Sequence, residues 1–284
     1  MTSKPIKGVP AFPPKSSPHK KPWYQPTFSP EHGVLIMLLG AALTGASLAQ
    51  TWTTETTWAC LTAYLAVQAE HPIVVQIKQR RQWRPRYLVW AGIYGISATA
   101  IALYLCFQHP ALLWICLAGI FALVVDTIAV FQHNHKSIAN EITMFVSICL
   151  TTLFVYSATT GTITLQAIGL WLMNSLFFSS AVFSVKLRKS KTSSLKSGAI
   201  YHVVATVLVA LLYIVALPDG IHWISLFTAL AFAIAPLKFA VIAWQRNWYR
   251  TCQFGHIARF ETYFALLYIA LVSLTVLPPK LPHA

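Results

Sequence analysis

The sequence predicts an all-α protein, a polytopic membrane helical bundle of about nine transmembrane helices. Three observations carry that expectation. Hydrophobic residues make up 56% of the chain and charged residues only 10%, against roughly 25% charged in soluble domains. The mean hydropathy is +0.60, and apolar runs of about 20 residues, the length that crosses a bilayer, recur along the chain. Lys and Arg are confined to alternate connections between those runs.

The elements follow in order. Residues 1–31 hold Pro5, Pro10, Pro13, Pro14, Pro18, Pro22, Pro26 and Pro30 with five lysines, a composition that predicts a disordered cytoplasmic tail. Residues 32–278 form a single transmembrane domain, with spans expected at 34–50, 57–77, 87–107, 111–131, 138–158, 163–185, 199–217, 222–244 and 258–277. Residues 279–284 are a short external tail. Gly40, Ala41, Gly45 and Ala49 give the first span a small-residue face suited to close helix contact. Pro110, Pro218 and Pro278 each end a run, because proline cannot continue a preceding helix. The Gln108-His109-Pro110 break between spans three and four is the shortest division.

Counting charges orients the bundle. With the N-terminus inside, 19 of the 21 Lys and Arg fall on or beside the cytoplasmic face. The expected location is the cell (inner) membrane, with the N-terminus cytoplasmic and the C-terminus external. The net charge of +14 follows from this topology, so nucleic acid is not expected as a partner, whereas membrane lipids are. Cys60, Cys106, Cys116, Cys149 and Cys252 show no CxxC spacing and are expected as free thiols. No Walker loop or dinucleotide fingerprint interrupts the pattern. His71 and His202 lack the spacing of a bundle haem pair, and neither a cofactor nor a metal site is predicted.

Ionisable residues within spans carry the functional expectation, since each costs about 2.5–3.5 kcal/mol on insertion scales unless paired or hydrated. The cavity or ligand candidates are His32, Glu70, His71, Asp126, Asn140, Glu141, Asn174, Tyr201, His202, Lys238 and Glu261. Apart from Asn174, near mid-membrane, all fall in the cytoplasmic half, so they are expected to converge on one cytoplasm-facing cavity. Lys238 is expected to pair with Glu70 or Asp126. Arg80, Arg81, Arg84, Lys186 and Arg188 are candidates for holding a head group or lipid phosphate. Helix-end charges of this kind also serve simply as interfacial anchors.

Several short marks resemble the YwiC-like membrane protein family. They are SPEHGVLIMLLGAALTG, AEHPIVVQIKQRR, KSIANEI, GLWLMNSLFFSSAVFSVKLRKS, YHVVATVL and AFAIAPLKFAVIAW, in order from residue 30 to about 270. The resemblance implies a multi-pass membrane fold and supplies no substrate. A more distant likeness, to UbiA-type intramembrane prenyltransferases, lies in nine spans with large cytoplasmic loops after the second and sixth. It implies a UbiA-like arrangement around an isoprenoid site. The aspartate-rich, Mg²⁺-holding motifs of those enzymes are missing from the matching loops, which are basic instead, so their catalytic aspartates transfer to no residue of this chain.

Three functional classes therefore stand: a binder or modifier of an isoprenoid or lipid, a small-molecule or ion transporter, and a non-catalytic membrane assembly factor. The first expects a deep, cytoplasm-open apolar cavity between the spans, the second two accessible faces and interrupted helices, and the third that cavity residues tolerate substitution while surface stripes do not.

Overall fold

A computed structural model describes residues 22–29, 32–79, 84–134, 136–188, 194–215 and 223–277. Among them the chain forms eleven helices and no strand. They are α1 (His32–Ala49), α2 (Thr54–Lys78), α3 (Pro85–Gln108), α4 (Leu112–Phe131), α5 (Ile138–Thr160), α6 (Leu165–Lys186), α7 (Leu195–Ile214), α8 (Leu226–Ala231), α9 (Ile234–Trp244), α10 (Arg246–Thr251) and α11 (Phe254–Val276).

Local chemistry starts and stops them. Thr53, Ser137, Thr164, Ser194 and Ser225 cap the N-termini of α2, α5, α6, α7 and α8, each side-chain oxygen accepting an amide of the first turn. Pro85 opens α3, where its missing N–H costs nothing. Gly161 closes α5 in the left-handed conformation at φ 76°. The short break at residues 109–111 does separate α3 from α4.

Eight stretches are long and apolar enough to cross a membrane: α1, α3, α4, α5, α6, α7, the joined α8–α9 stretch Leu226–Trp244, and α11. The chain is thus a polytopic helical bundle. The expected second span, α2, falls short of that apolar standard because Glu55, Gln68, Glu70, His71, Gln76 and Lys78 lie within it. Its 25 residues nevertheless rise about 37 Å, and contacts tie it to both ends of the bundle. Near its start, Thr56 Oγ1 lies 2.7 Å from Thr159 Oγ1 at the end of α5. Near its finish, Gln76 Oε1 accepts the Arg84 amide at 3.2 Å.

The remaining end-to-end contacts sort in the same way. Gln50 after α1 reaches the Val276 carbonyl, and Thr228 of α8 bonds Thr275 of α11. At the other end Lys186 of α6 meets Glu141 of α5, and Arg188 donates to the Cys252 carbonyl. Successive crossings therefore alternate in direction, and the starts of α1, α3, α5, α7 and α11 share one end with the finishes of α2, α4, α6 and α9. This is the basic end.

The small-residue face of α1 is used as expected. A Cβ on Gly45 would stand 2.5 Å from the Thr152 carbonyl oxygen, and one on Gly40 2.6 Å from Ile269. Only glycine lets α1 approach α5 and α11 this closely. Outward faces carry large apolar side chains instead, among them Ile96, Phe107, Trp114, Phe121 and Leu274. Residues 22–29 of the expected N-terminal tail lie against α3: Arg86 donates to the carbonyls of Gln25 and Pro26, both at 2.7 Å, and Trp90 to that of Trp23. The rest of that tail, residues 1–21, 30 and 31, lies outside the described residues.

One break was not anticipated. The eighth span divides at Phe232–Ala233 into α8 and α9. Pro236 has no N–H to offer the Phe232 carbonyl four residues earlier. That carbonyl instead accepts the Ala235 amide at 2.9 Å, a tighter turn that separates the two helices.

Candidate functional site

A cavity of about 440 Å³ lies between α2, α3, α4 and α5, within the usual range of ligand sites. Along α2 its wall runs from Thr62 to Ile73, about 16 Å of helix. Ala63, Ala66, Ala102 and Gly119 leave the space unfilled, and Leu103, Ile115, Ile120, Leu123, Ile148 and Phe154 make it apolar. Two of the hydroxyls in the wall bond their own helices: Thr62 donates to the Trp58 carbonyl and Ser147 to that of Thr143. Glu70 is the one charged side chain among the described lining residues, and it stands eight residues before Lys78, so about 12 Å in from the basic end. Cys106 and Cys116 face one another there, with Sγ atoms 3.8 Å apart, and all five cysteines are free thiols.

The expected convergence of polar residues on a single cavity does not occur. His71 is half-buried and His32 exposed, and neither lines this cavity. Asp126, buried near the end of α4, accepts from Asn140 Nδ2 at 2.7 Å and so fastens α4 to the start of α5. Glu141 is paired with Lys186 at 2.9 Å. Tyr201 donates to the Leu176 carbonyl at 2.7 Å and stacks on Phe183, which makes it a fastener of α7 to α6. Arg188 sits over the Phe254 ring, and Arg84 occupies the N-cap position of α3 without a capping hydrogen bond from its side chain. Arg80 and Arg81 lie outside the described residues.

Lys238 is paired with neither Glu70 nor Asp126. Its ammonium lies 2.7 Å from Glu261 and 3.3 Å from Ser180 Oγ, and 5.6 Å from the centre of the Phe177 ring. The Pro236 break sets α9 against α6, α7 and α11, on the far side of the bundle from α2, which is why the anticipated partners are out of reach. Glu261 also accepts from Tyr249 of the connecting helix α10 at 3.2 Å. Burial, and then the negative charge of Glu261, hold the Tyr249 hydroxyl well above the usual tyrosine range. His202 is buried beside this group: its Nδ1 faces the Gly198 carbonyl at 2.8 Å, its ring stacks on Phe239, and its Nε2 has no hydrogen-bond partner among the described residues.

A second polar cluster sits at mid-bundle. Asn174 Nδ2 donates to Thr44 Oγ1 at 2.8 Å and to Thr152 Oγ1 at 2.9 Å, while its Oδ1 accepts from Tyr268 at 2.9 Å. One side chain of α6 thereby joins α1, α5 and α11. Tyr268 is fully buried and stacked on Phe177 at 3.6 Å, so aromatic contact links this cluster to Lys238. Thr44, Thr152, Tyr249 and Tyr268 were not foreseen, because hydroxyls in apolar helices ordinarily bond their own preceding turn.

Fold and sites together define a polytopic α-helical membrane protein with an apolar intramembrane cavity and separate buried polar clusters. The model of the YwiC-like protein family matches residues 28–156, from just before α1 through most of α5, and over that stretch the chain is similar to that family. The match includes α2, α3, α4 and the part of α5 that lines the cavity; the resemblance drawn on residues 169–244 falls beyond it. No curated protein matches the chain. The UbiA-type likeness has no counterpart in these comparisons.

Proposed function

We propose that the protein binds, or modifies, a lipid or isoprenoid whose apolar chain lies in the α2–α5 cavity. The observation that carries this reading is the cavity itself: about 440 Å³ of apolar space, elongated along α2, with one carboxylate in its wall. An extended hydrocarbon fits such a lining, and Glu70 supplies a polar contact for a head group or ring. Basic residues such as Arg84 at the neighbouring helix ends offer direct contact to an anionic head. Transport is less well supported, since the one Pro-broken span has no broken counterpart among the described helices, whereas transporter sites are built from pairs.

Native mass spectrometry of the purified protein tests the reading. A retained lipid or quinone is expected. Gly119→Leu, at a position where an added Cβ meets open space, and Ala102→Phe should abolish retention while the protein stays monodisperse. Glu70→Gln should weaken it roughly tenfold or more, the worth of a hydrogen bond to a charged group. Equal retention in the filled variants sinks the proposal.

The basic end, in the same reading, faces the cytoplasm of a cell membrane. Reporter fusions after Arg86 and after Lys196 should both report the cytoplasm and a C-terminal fusion the exterior. A cytoplasmic C-terminus would show that α2 does not cross.

A further inference from the structure

A second cavity, of about 240 Å³, opens at the basic end where α5 and α7 begin and α6 ends. Its lining is unlike that of the apolar cavity: Lys136, Lys186, Ser137, Ser194 and Ser197, with Ile138 and Phe183 beside them. We infer that it is a binding site for a phosphate group, either the phosphodiester of an anionic lipid head or free phosphate. This goes beyond the reading of the α2–α5 cavity and does not depend on it.

Two lysines set the charge. Lys186 is held in place rather than free to wander, because its ammonium contacts Glu141 at 2.9 Å and the Lys136 carbonyl at 3.0 Å. That second contact also fixes the backbone from which Lys136 extends. Lys136 is exposed and takes part in neither ion pair formed among the described residues. Glu141 offsets one positive charge and leaves the lining with an excess of one. A compact ammonium can meet a phosphate oxygen without a metal between them.

The hydroxyls point the same way. Ser137 Oγ accepts the Asn140 amide and Ser194 Oγ accepts the Ser197 amide. Both are thus fixed by their lone pairs, and each keeps an O–H to donate. Two such donors suit an oxyanion, while the third lining hydroxyl, Ser197, donates to the Ser194 carbonyl at 2.9 Å. Ser137 and Ser194 also mark the starts of two helices of 23 and 20 residues, whose first amides have no intrahelical acceptor and whose dipoles add positive potential at the same place. Ile138 and Phe183 give the cavity an apolar side, along which the glycerol and first acyl carbons of a lipid could lie.

The full chain in phosphatidylcholine nanodiscs containing a minor share of phosphatidylglycerol provides the test. Native mass spectrometry counts the anionic lipid retained, with and without added inorganic phosphate. Lys136→Glu should lower retention at least tenfold, and Lys136→Gln by less. Lys78→Glu, an equal charge reversal at the same end but outside this cavity, should leave retention unchanged. If phosphatidylglycerol is retained despite inorganic phosphate, a lipid head is the source; if phosphate displaces it and itself remains bound, free phosphate is. Either result supports the site. Binding of neither probe, or equal loss in Lys136→Glu and Lys78→Glu, overturns it. Gly119→Leu separates the two proposals, since filling the α2–α5 cavity should leave the phosphate site intact.

Discussion

Lys238→Met destabilises the protein by about 3 kcal/mol, the lower end of the cost of breaking a buried pair by removing one partner, because the carboxylate left behind, that of Glu261, is only partly buried. Lys238 is 2% exposed, and its ammonium is the one positive charge paired with Glu261 among the described residues. With methionine there, Glu261 keeps only the Tyr249 hydroxyl, at 3.2 Å, as a hydrogen-bond partner among the described residues. Glu261→Gln added to Lys238→Met should recover most of the loss, because a neutral amide next to an apolar side chain needs no counter-charge. Thermal unfolding in detergent, followed by fluorescence and monodispersity, gives the comparison. Should the double variant be as unstable as Lys238→Met alone, the ion pair is not what the lysine contributes, and its stem packing against Phe177 takes its place.

Much of the architecture was legible from hydropathy, because each bilayer crossing must bury about 20 apolar residues and satisfy its own backbone. The α3–α4 division and the close approach at Gly45 follow from short local patterns. The kink at Phe232–Ala233 was signalled by Pro236 and overlooked, since an unbroken apolar run outweighs a single proline in any hydropathy window. The partner of Lys238 was not legible at all. Charge sign says that Glu70, Asp126 and Glu261 are each admissible, and only the packing order of helices decides among them. Asn174 was recognised as unusual, but the three residues that satisfy it look ordinary in sequence. The expected cavity was one on which polar residues converge, whereas the apolar cavity owes its space to small residues such as Ala63, Ala102 and Gly119, which advertise nothing. Glu70 alone of the anticipated residues belongs to it, and the others were dispersed because they sit on helices that face different neighbours.

Asn174→Leu isolates the mid-bundle cluster with the other large effect. The branching of heavy atoms is the same but leucine's methyls are bulkier than the amide, so a packing term of about 1–3 kcal/mol accompanies the substitution. What it removes is the acceptor for the Tyr268 hydroxyl and the donor for Thr44 and Thr152. These groups are not equally exposed to the loss. Thr44 also donates to the Gly40 carbonyl at 2.8 Å, so it keeps a partner. Tyr268 is fully buried, with Asn174 as its acceptor, and an orphaned group in such a place costs about 1–3 kcal/mol. Interhelical hydrogen bonds measured within membranes average only about 0.6 kcal/mol, so the orphaned hydroxyl, not the lost bond energy, should dominate. The distinguishing variant is Tyr268→Phe, which deletes that hydroxyl while keeping the ring stacked on Phe177. In the Asn174→Leu background Tyr268→Phe should restore stability, whereas in the native background it should cost stability, because Asn174 Oδ1 then lacks its donor. That change of sign is read from the midpoints of thermal unfolding across the four proteins. Effects that add to within about 0.3–0.5 kcal/mol would mean that Asn174 and Tyr268 act independently, and that α6 is fastened to α1, α5 and α11 by apolar packing alone.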